Sequence, residues 1–136
     1  SKLRYKRIIL AADADPAGEF ITALLITLFA KIAPEIIKTE HLYICKTPLF
    51  GYGYNSKFKP IWDKNEIEEL RNNNIKIRRF KGLGQFNPSE LKTITLDEST
   101  RKLELVKWDS DMCKKLFDVM SDSSLKRKLV MDEYEY

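Results

Sequence analysis

Two carboxylates at the end of an apolar run are the residues in this sequence best suited to chemistry. Asp13 and Asp15 follow the strand-like segment 7–12 and precede an apolar stretch with helical spacing. Open α/β sheets bind their ligands at the carboxyl ends of parallel strands. Mg²⁺ prefers oxygen ligands and keeps several waters, so one or two carboxylates suffice when a phosphate supplies the rest. The pair therefore favours a divalent cation held against a phosphodiester.

Helix capping is the alternative interpretation of the same two acids. Either carboxylate can accept backbone N–H bonds at the start of a helix, and Pro16 suits the first helical turn. Capping explains one of the acids but leaves the other without a role. From these residues alone, both metal binding and capping stay open.

The bulk properties describe one ordinary domain, or one domain with an appended tail. The chain has 136 residues, of which 43% are hydrophobic, and its formal charge is +4. A pI near 9.0 is compatible with nucleic-acid binding but is weak evidence for it. The mean hydropathy of -0.38 argues against a membrane protein, and the apolar stretch 20–33 is too short to span a bilayer. No signal segment opens the chain, so an intracellular location is expected.

The apolar pattern predicts strands and helices in alternation. Near-continuous apolar runs are typical of buried parallel strands, and spacing of three and four residues is typical of helices. The stripe Phe20, Leu24, Leu28 and Ile32 predicts a well-covered helix, which Pro34 ends. The predicted strands are 6–12, 41–45, 75–80 and 103–106, and the predicted helices are 17–33, 63–71, Asn87 or Ser89 to 94, 109–120 and 124–133.

This order predicts a parallel sheet with helical cover. Asp63 is the predicted N-cap of the second helix, and the turn-rich stretch 51–55 is predicted to be an excursion from the sheet. Three strands make a thin sheet for so many apolar residues, and the chain starts almost on its first strand. We therefore expect an N-terminal part of the domain to be absent.

Two isolated cysteines offer no further site. Cys45 and Cys113 are far apart in the sequence, with His41 as their only possible soft companion. This pattern matches neither a zinc site nor a disulfide framework.

Four motifs in series resemble type IIA DNA topoisomerases. The likeness is to the C-terminal part of a gyrase B or topoisomerase IV B subunit, which contains the metal-binding Toprim domain. Asp13-Ala14-Asp15-Pro16-Ala17-Gly18 is similar to the family's strand-end acid motif, and 43–50 is similar to its strand ending in Pro-Leu-Tyr. The segment 80–88 resembles the Lys-Gly-Leu-Gly loop, and 96–101 resembles the Asp and Thr-Arg that follow it. The tail segment 116–122 is similar to the family's closing Leu-Met-Gly-Asp.

Two departures from the family pattern are informative. The Glu-Gly-Asp-Ser-Ala strand that opens the family's Toprim domain has no match, so this chain would hold the second half of the domain. Ala17 stands where the family usually has a third Asp, which puts binding of two metals in doubt. Glu19 is a candidate replacement, and a solvated first-turn glutamate favoured by the helix dipole is the alternative.

The resemblance implies an α/β fold: a Toprim, Rossmann-like parallel sheet flanked by helices, lacking its N-terminal part. Residues 1–96 would form the Toprim portion, and 97–136 a short, mostly helical tail. It also implies a subunit or fragment of an ATP-hydrolysing type II topoisomerase that is inactive alone. The chain would supply the Mg²⁺ or Mn²⁺ ligands Asp13 and Asp15 to a composite site for DNA cleavage and religation. Another subunit or domain would use the ATP.

The implied partners are double-stranded DNA, an A-type subunit with the nucleophilic tyrosine, and an ATPase subunit or missing Toprim half. Lys81 is a further catalytic candidate, although it could be an ordinary exposed lysine. The aromatic residues of 50–58 favour packing against a neighbouring chain, and base stacking is the second interpretation. The enzyme would be cytoplasmic and nucleoid-associated, or within an infected host cell. The candidate contacts with DNA or a partner are Lys46, Arg78, Arg79, Lys81, Gly82 and Gly84.

Two rival functions remain. Another Toprim protein, such as a primase, a type IA topoisomerase or a nuclease, is supported only by the acid motif and is opposed by the 81–88 loop. A non-catalytic scaffold for assembly or DNA docking is the second rival, because Ala17 replaces an acid.

Overall fold

The computed structural model describes residues 3–111 and 114, which divide into two compact units. The first unit contains the described parts of Ser1–Leu10, Pro16–Ile44 and Leu105–Tyr136. The second contains Ala11–Asp15 and Cys45–Glu104. Of the predicted tail helices, most of 109–120 and all of 124–133 lie outside the described residues. The expected division between 1–96 and 97–136 stays a prediction.

The first unit opens with two parallel strands joined through helices. These elements are β1 (Ile8–Leu10), α1 (Pro16–Ile32), α2 (Pro34–Lys38) and β2 (Leu42–Cys45). The pairing of β1 with β2 places Ile9 opposite Tyr43. The core of the unit consists of Ala30, Ile37, Leu42 and Val106. The predicted strand, helix and second strand are thus confirmed, because long apolar runs specify them clearly.

Helix α1 has more apolar surface than the described part of the chain covers. Gly18, Thr27 and Ala30 are buried, and the Thr27 hydroxyl donates to the Ala23 carbonyl at 2.8 Å. On the other side, five large apolar side chains are between 36% and 67% exposed: Ile21, Leu24, Leu25, Leu28 and Ile32. The prediction that the stripe is well covered is therefore wrong within the described residues.

The second unit is built on an antiparallel sheet. Its strands are β3 (Phe50–Tyr52), β4 (Lys59–Ile61) and β5 (Ile77–Arg79), in the order β4-β3-β5. Helices α3 (Lys64–Asn72) and α4 (Pro88–Thr95) and strand β6 (Leu103–Leu105) complete the described elements. The core of this unit consists of Phe58, Phe80, Phe86 and Ile94.

This sheet corrects two predictions while the α/β class stands. The predicted excursion at 51–55 begins in β3, which is the central strand of the sheet. The predicted third parallel strand, β5, pairs antiparallel with β3, with Gly51 opposite Arg78. A single turn of 3₁₀ helix at Asn55–Lys57 joins β3 to β4, a connection short enough only for antiparallel neighbours. Strands of three residues are too short to show a clear period in the sequence.

Side-chain caps begin α3 and α4. The Asp63 carboxylate accepts the Asn65 N–H at 2.9 Å, as predicted. Asn87 caps α4 in a reciprocal capping box with Glu90, the arrangement in which each residue satisfies the other's backbone N–H. None of the helices in the described part of the chain is long and apolar enough to cross a membrane.

Candidate functional site

In the structure, the acid motif contacts the loop of residues 81–88, which we call the glycine loop. The backbone N–H of Leu83 donates a hydrogen bond to Oδ1 of Asp13 at 2.7 Å. Both residues belong to the second unit, although 70 positions separate them in the sequence. The Asp13 carboxylate is therefore held by the backbone of the loop that follows β5.

The two glycines of this loop have different surroundings. A Cβ atom at Gly82 would lie 3.1 Å from Cγ and from both carboxylate oxygens of Asp13. A Cβ atom at Gly84 would meet nothing within 4 Å. Gly82, a candidate contact with DNA or a partner, thus lies against the Asp13 side chain of the same chain, whereas the space at Gly84 is open.

A threonine fixes the acid segment from the other direction. The Thr47 hydroxyl donates to the Ala12 carbonyl at 3.0 Å, and the next residue, Pro48, is fully buried. Three of the recognised motifs, the acids, the Pro48 segment and the glycine loop, therefore meet in one unit. Thr47 was missed by the sequence reasoning, and no pattern in the sequence marks it.

The donor set suits a hard divalent cation. A carboxylate offers about four lone-pair positions on two oxygens, so one hydrogen bond to Asp13 leaves positions for a metal. Asp15 is partly buried, and Glu19, on α1 of the first unit, is exposed. Among the described residues, no group of three or more His, Cys, Asp and Glu side chains is arranged to hold a metal. These residue types suit a cation that takes one or two carboxylates and completes its coordination with water or phosphate oxygens.

Arg78 lies mostly inside the second unit, with 19% of its side chain exposed. Its guanidinium forms two hydrogen bonds with Glu90, of 2.6 and 3.3 Å, and a third to the Gly53 carbonyl at 2.9 Å. It also lies over the Tyr54 ring, 4.3 Å from the centroid. These contacts give Arg78 a structural role inside the second unit, whereas Arg79 is exposed; contact of either arginine with DNA or a partner stays a prediction.

The Glu90 side chain, which pairs with Arg78, is fully buried, although it is an acid. Burial alone would raise the pKa of Glu90, but hydrogen bonds from Arg78 and from the backbone N–H groups of Asn87 and Asn55 hold that pKa below its ordinary value. Sequence reasoning missed this residue. The Asn-x-x-Glu capping pattern at 87–90 was the available signal, since it predicts that Glu90 turns back toward the helix start.

The two remaining lysine candidates, Lys81 and Lys46, are both exposed. Lys81 has an exposed side chain, and its backbone N–H donates to the side-chain oxygen of Gln85. Lys46 is exposed and forms an ion pair with the exposed Glu104. The ammonium group of Lys81 is therefore accessible to a ligand. A ligand of Lys46 would have to compete with its ion pair to Glu104.

Two further residues have structural roles in the second unit. Phe58, one of the aromatics expected to pack against a neighbouring chain, packs instead edge-on against Phe80, with ring centroids 5.7 Å apart. The Cys45 thiol donates to the Ile94 carbonyl at 3.1 Å, and burial raises the pKa of this thiol. Cys45 is therefore a buried thiol with a hydrogen-bond partner inside the second unit. Cys113 lies outside the described residues.

Comparisons with known proteins agree with the motifs. Residues 72–131 match the family model described as DNA gyrase B subunit, carboxyl terminus. The chain is 36% identical over 124 residues to the DNA gyrase B subunit of Borrelia hermsii, covering 85% of this chain and 20% of that relative. It is 36% identical over 115 residues to the DNA topoisomerase 4 B subunit of Haemophilus influenzae, covering 80% of this chain and 18% of that relative. The chain therefore spans about a fifth of the length of these curated relatives.

A solved structure shows the same fold. It is titled as the DNA-binding, cleavage and re-ligation domain of Plasmodium falciparum topoisomerase II. The superposition has a TM-score of 0.67 at 23% identity and covers 96% of this chain and 18% of that one. The mixed α/β architecture of this chain is thus that of a segment of the solved domain.

Proposed function

The chain is homologous to the carboxyl-terminal region of the B subunits of DNA gyrase and topoisomerase IV, and on this basis we propose that it supplies the divalent-cation ligands of a DNA cleavage and religation site. The observation that supports this most directly is the Asp13 carboxylate held on the glycine loop by the Leu83 N–H at 2.7 Å. A ligand that is fixed before the metal arrives loses less conformational freedom on binding.

Asp13 and Asp15 are the proposed ligands of Mg²⁺ or Mn²⁺. The bound cation would act as a Lewis acid on the scissile phosphate and would orient it. The Leu83 N–H fixes Asp13, while Thr47 fixes the backbone at Ala12, one residue before it. Lys81 begins the same loop with an exposed ammonium group, which is suited to a phosphate oxygen.

Cleavage also needs a nucleophile, and we assign it to an A-type partner subunit. Tyr43 is half-buried in β2 with Arg7 over its ring at 5.8 Å, and Tyr54 lies under the Arg78 guanidinium. Tyr134 and Tyr136 lie outside the described residues. The sequence has no Walker-type glycine motif, so ATP would be used by another subunit or domain.

The remainder of the B-type subunit is the proposed cover for the apolar face of α1. Ile21, Leu28 and Ile32 are 52%, 48% and 67% exposed, which is unusual for a contiguous helical stripe on a soluble surface. The relatives are about five times longer than the chain and so have ample additional surface to cover it. We propose this occupant whether it lies on the same polypeptide or on another.

The test is Mg²⁺-dependent DNA cleavage after reconstitution with an A-type subunit and the remainder of the B-type subunit. Asp13→Asn and Asp15→Asn keep the shape and capping ability of each residue, so the fold should survive while cleavage falls by about 100-fold or more. Asp63→Asn is the matched control, because it removes the same charge from a helix cap in α3. Cleavage by the two acid variants at the parental rate across a Mg²⁺ titration would contradict the metal role.

A non-catalytic scaffold is the second candidate, and one observation favours it. Ala17 is exposed where the family usually has a third Asp. A reconstituted complex that binds DNA at the parental affinity in both acid variants but never cleaves it, with or without the substitutions, would establish that function instead.

A further inference from the structure

We propose that Gly82 and the backbone N–H of Leu83 are positioning groups that set the Asp13 carboxylate for cation binding. The role rests on the proposed function, since it assumes that Asp13 is a metal ligand. Two observations support it: the hydrogen bond of 2.7 Å to Oδ1, and the 3.1 Å that separates a Cβ atom at position 82 from the carboxyl group.

The loop is firmly anchored and can therefore hold an otherwise exposed side chain. Phe80 and Phe86, which bracket the loop, are 3% and 7% exposed and stack with ring centroids 4.1 Å apart. The Phe80 N–H also donates to the Leu49 carbonyl at 2.8 Å. Asp13 itself is exposed, so in the absence of the loop its rotamers would be free. Groups that orient a metal ligand through a hydrogen bond commonly change metal affinity by about 10–100-fold.

The glycine at position 82 is required by space and not by backbone conformation. Its φ of -158° and ψ of 165° are extended values that any residue can adopt. The three atoms nearest to a Cβ atom there all belong to the Asp13 carboxyl group. An added methyl group would therefore push the carboxylate away by about a few tenths of an ångström and weaken its hydrogen bond with the Leu83 N–H.

Gly82→Ala and Gly84→Ala form a matched pair, because position 84 has open space for the same methyl group. Mn²⁺ is the probe, and its affinity for the full chain is measured by electron paramagnetic resonance alongside the melting temperature. We expect Gly82→Ala to weaken Mn²⁺ binding by about tenfold at an unchanged melting temperature. Gly84→Ala should match the parent chain.

Asp13→Asn separates this inference from the function beneath it. If Asp13→Asn abolishes Mn²⁺ binding while Gly82→Ala binds like the parent, the positioning role is overturned and the proposed function stands. If Asp13→Asn binds Mn²⁺ like the parent, or the parent binds none, the metal role of Asp13 is overturned and the inference falls with it.

A second pair of variants tests the N–H group itself. Leu83 begins a 3₁₀ turn after an extended residue, a position that accepts proline. Leu83→Pro and Leu83→Ala both lose the leucine packing, but only proline loses the donor. Weaker Mn²⁺ binding by Leu83→Pro than by Leu83→Ala supports the proposal, and equal binding contradicts it. If Leu83→Pro fails to fold, the Gly82 and Gly84 pair decides the question.

Discussion

At the residue scale, the Arg78–Glu90 pair ties three segments of the second unit together. Arg78 is 19% exposed and Glu90 is fully buried, and their contacts reach the Gly53 carbonyl and the start of α4. Breaking a buried pair leaves an uncompensated charge, which costs about 3–5 kcal/mol, whereas an exposed pair contributes about 0–1 kcal/mol. The pair therefore stabilises the packing of these three segments.

The first prediction compares a buried acid with an exposed one. Glu90→Gln should lower the free energy of unfolding by about 3 kcal/mol, because Arg78 loses its counter-charge. Glu98→Gln is the control, since Glu98 is 78% exposed in its ion pair with Arg101, and should change it by about 0.5 kcal/mol or less. Urea unfolding measures both values. Equal losses in the two variants would show that the pair of the buried Glu90 is no stronger than the pair of the exposed Glu98.

The second prediction concerns pH. The folded-state pKa of Glu90 lies below the ordinary glutamate value of 4.5, so the folded state binds this proton less readily than the unfolded state. The corresponding stability is present above pH 4.5 and is lost as the pH falls through the folded-state pKa. Unfolding free energies measured across that range should decline less steeply in Glu90→Gln than in the parent. Identical acid slopes would contradict the prediction.

At the element scale, the parts that the sequence predicts are those with long patterns. Strand β1, helix α1 and strand β2 follow from apolar runs, and the caps Asp63 and Asn87 follow from residue type. The antiparallel pairing of β3, β4 and β5 could not be predicted, because residue patterns within a strand do not specify which strand it pairs with. It depends on tertiary packing around Phe58.

The candidate site divides in the same way. The acids and the glycine loop are recognisable from their own residues, but the bond between Asp13 and Leu83 joins positions 70 residues apart. The bond from Thr47 to Ala12 spans 35 residues. No local pattern encodes such contacts, because they arise only when separate elements pack together.

The third prediction tests Gly51, which the central strand β3 needs for packing. A Cβ atom there would lie 2.5 Å from Cε2 of Phe58 and 3.0 Å from the Lys59 carbonyl oxygen. Gly51→Ala should therefore lower the free energy of unfolding by about 1–3 kcal/mol through overpacking. Gly84→Ala, with open space around its Cβ position, is the control in the same urea titrations. A Gly51→Ala chain as stable as the control would mean that the β3–β4 hairpin readily makes room.

At the scale of the whole molecule, two features point to assembly. The chain has a net charge of +4, which suits an anionic partner but does not identify one. Within residues 3–111, an exposed apolar stripe lies on α1, where side chains at 21, 24, 25, 28 and 32 recur at helical spacing. Exposed apolar stripes of this kind mark interfaces in soluble proteins. We therefore expect the free chain to expose an apolar surface that is covered in the assembled protein.

The last prediction tests this stripe. The free chain should bind a hydrophobic dye and self-associate, and Ile21→Gln with Leu28→Gln should reduce both effects with little loss of melting temperature, because these side chains are about half exposed. The same double variant should bind the remainder of the B-type subunit about tenfold more weakly in calorimetry, since two interface anchors are lost.

Ile37→Gln is the contrasting control: Ile37 is 2% exposed, so this single change should destabilise the fold itself. A parent chain that is monomeric and binds no dye, or a double variant that assembles like the parent, would show that the α1 face is not an interface.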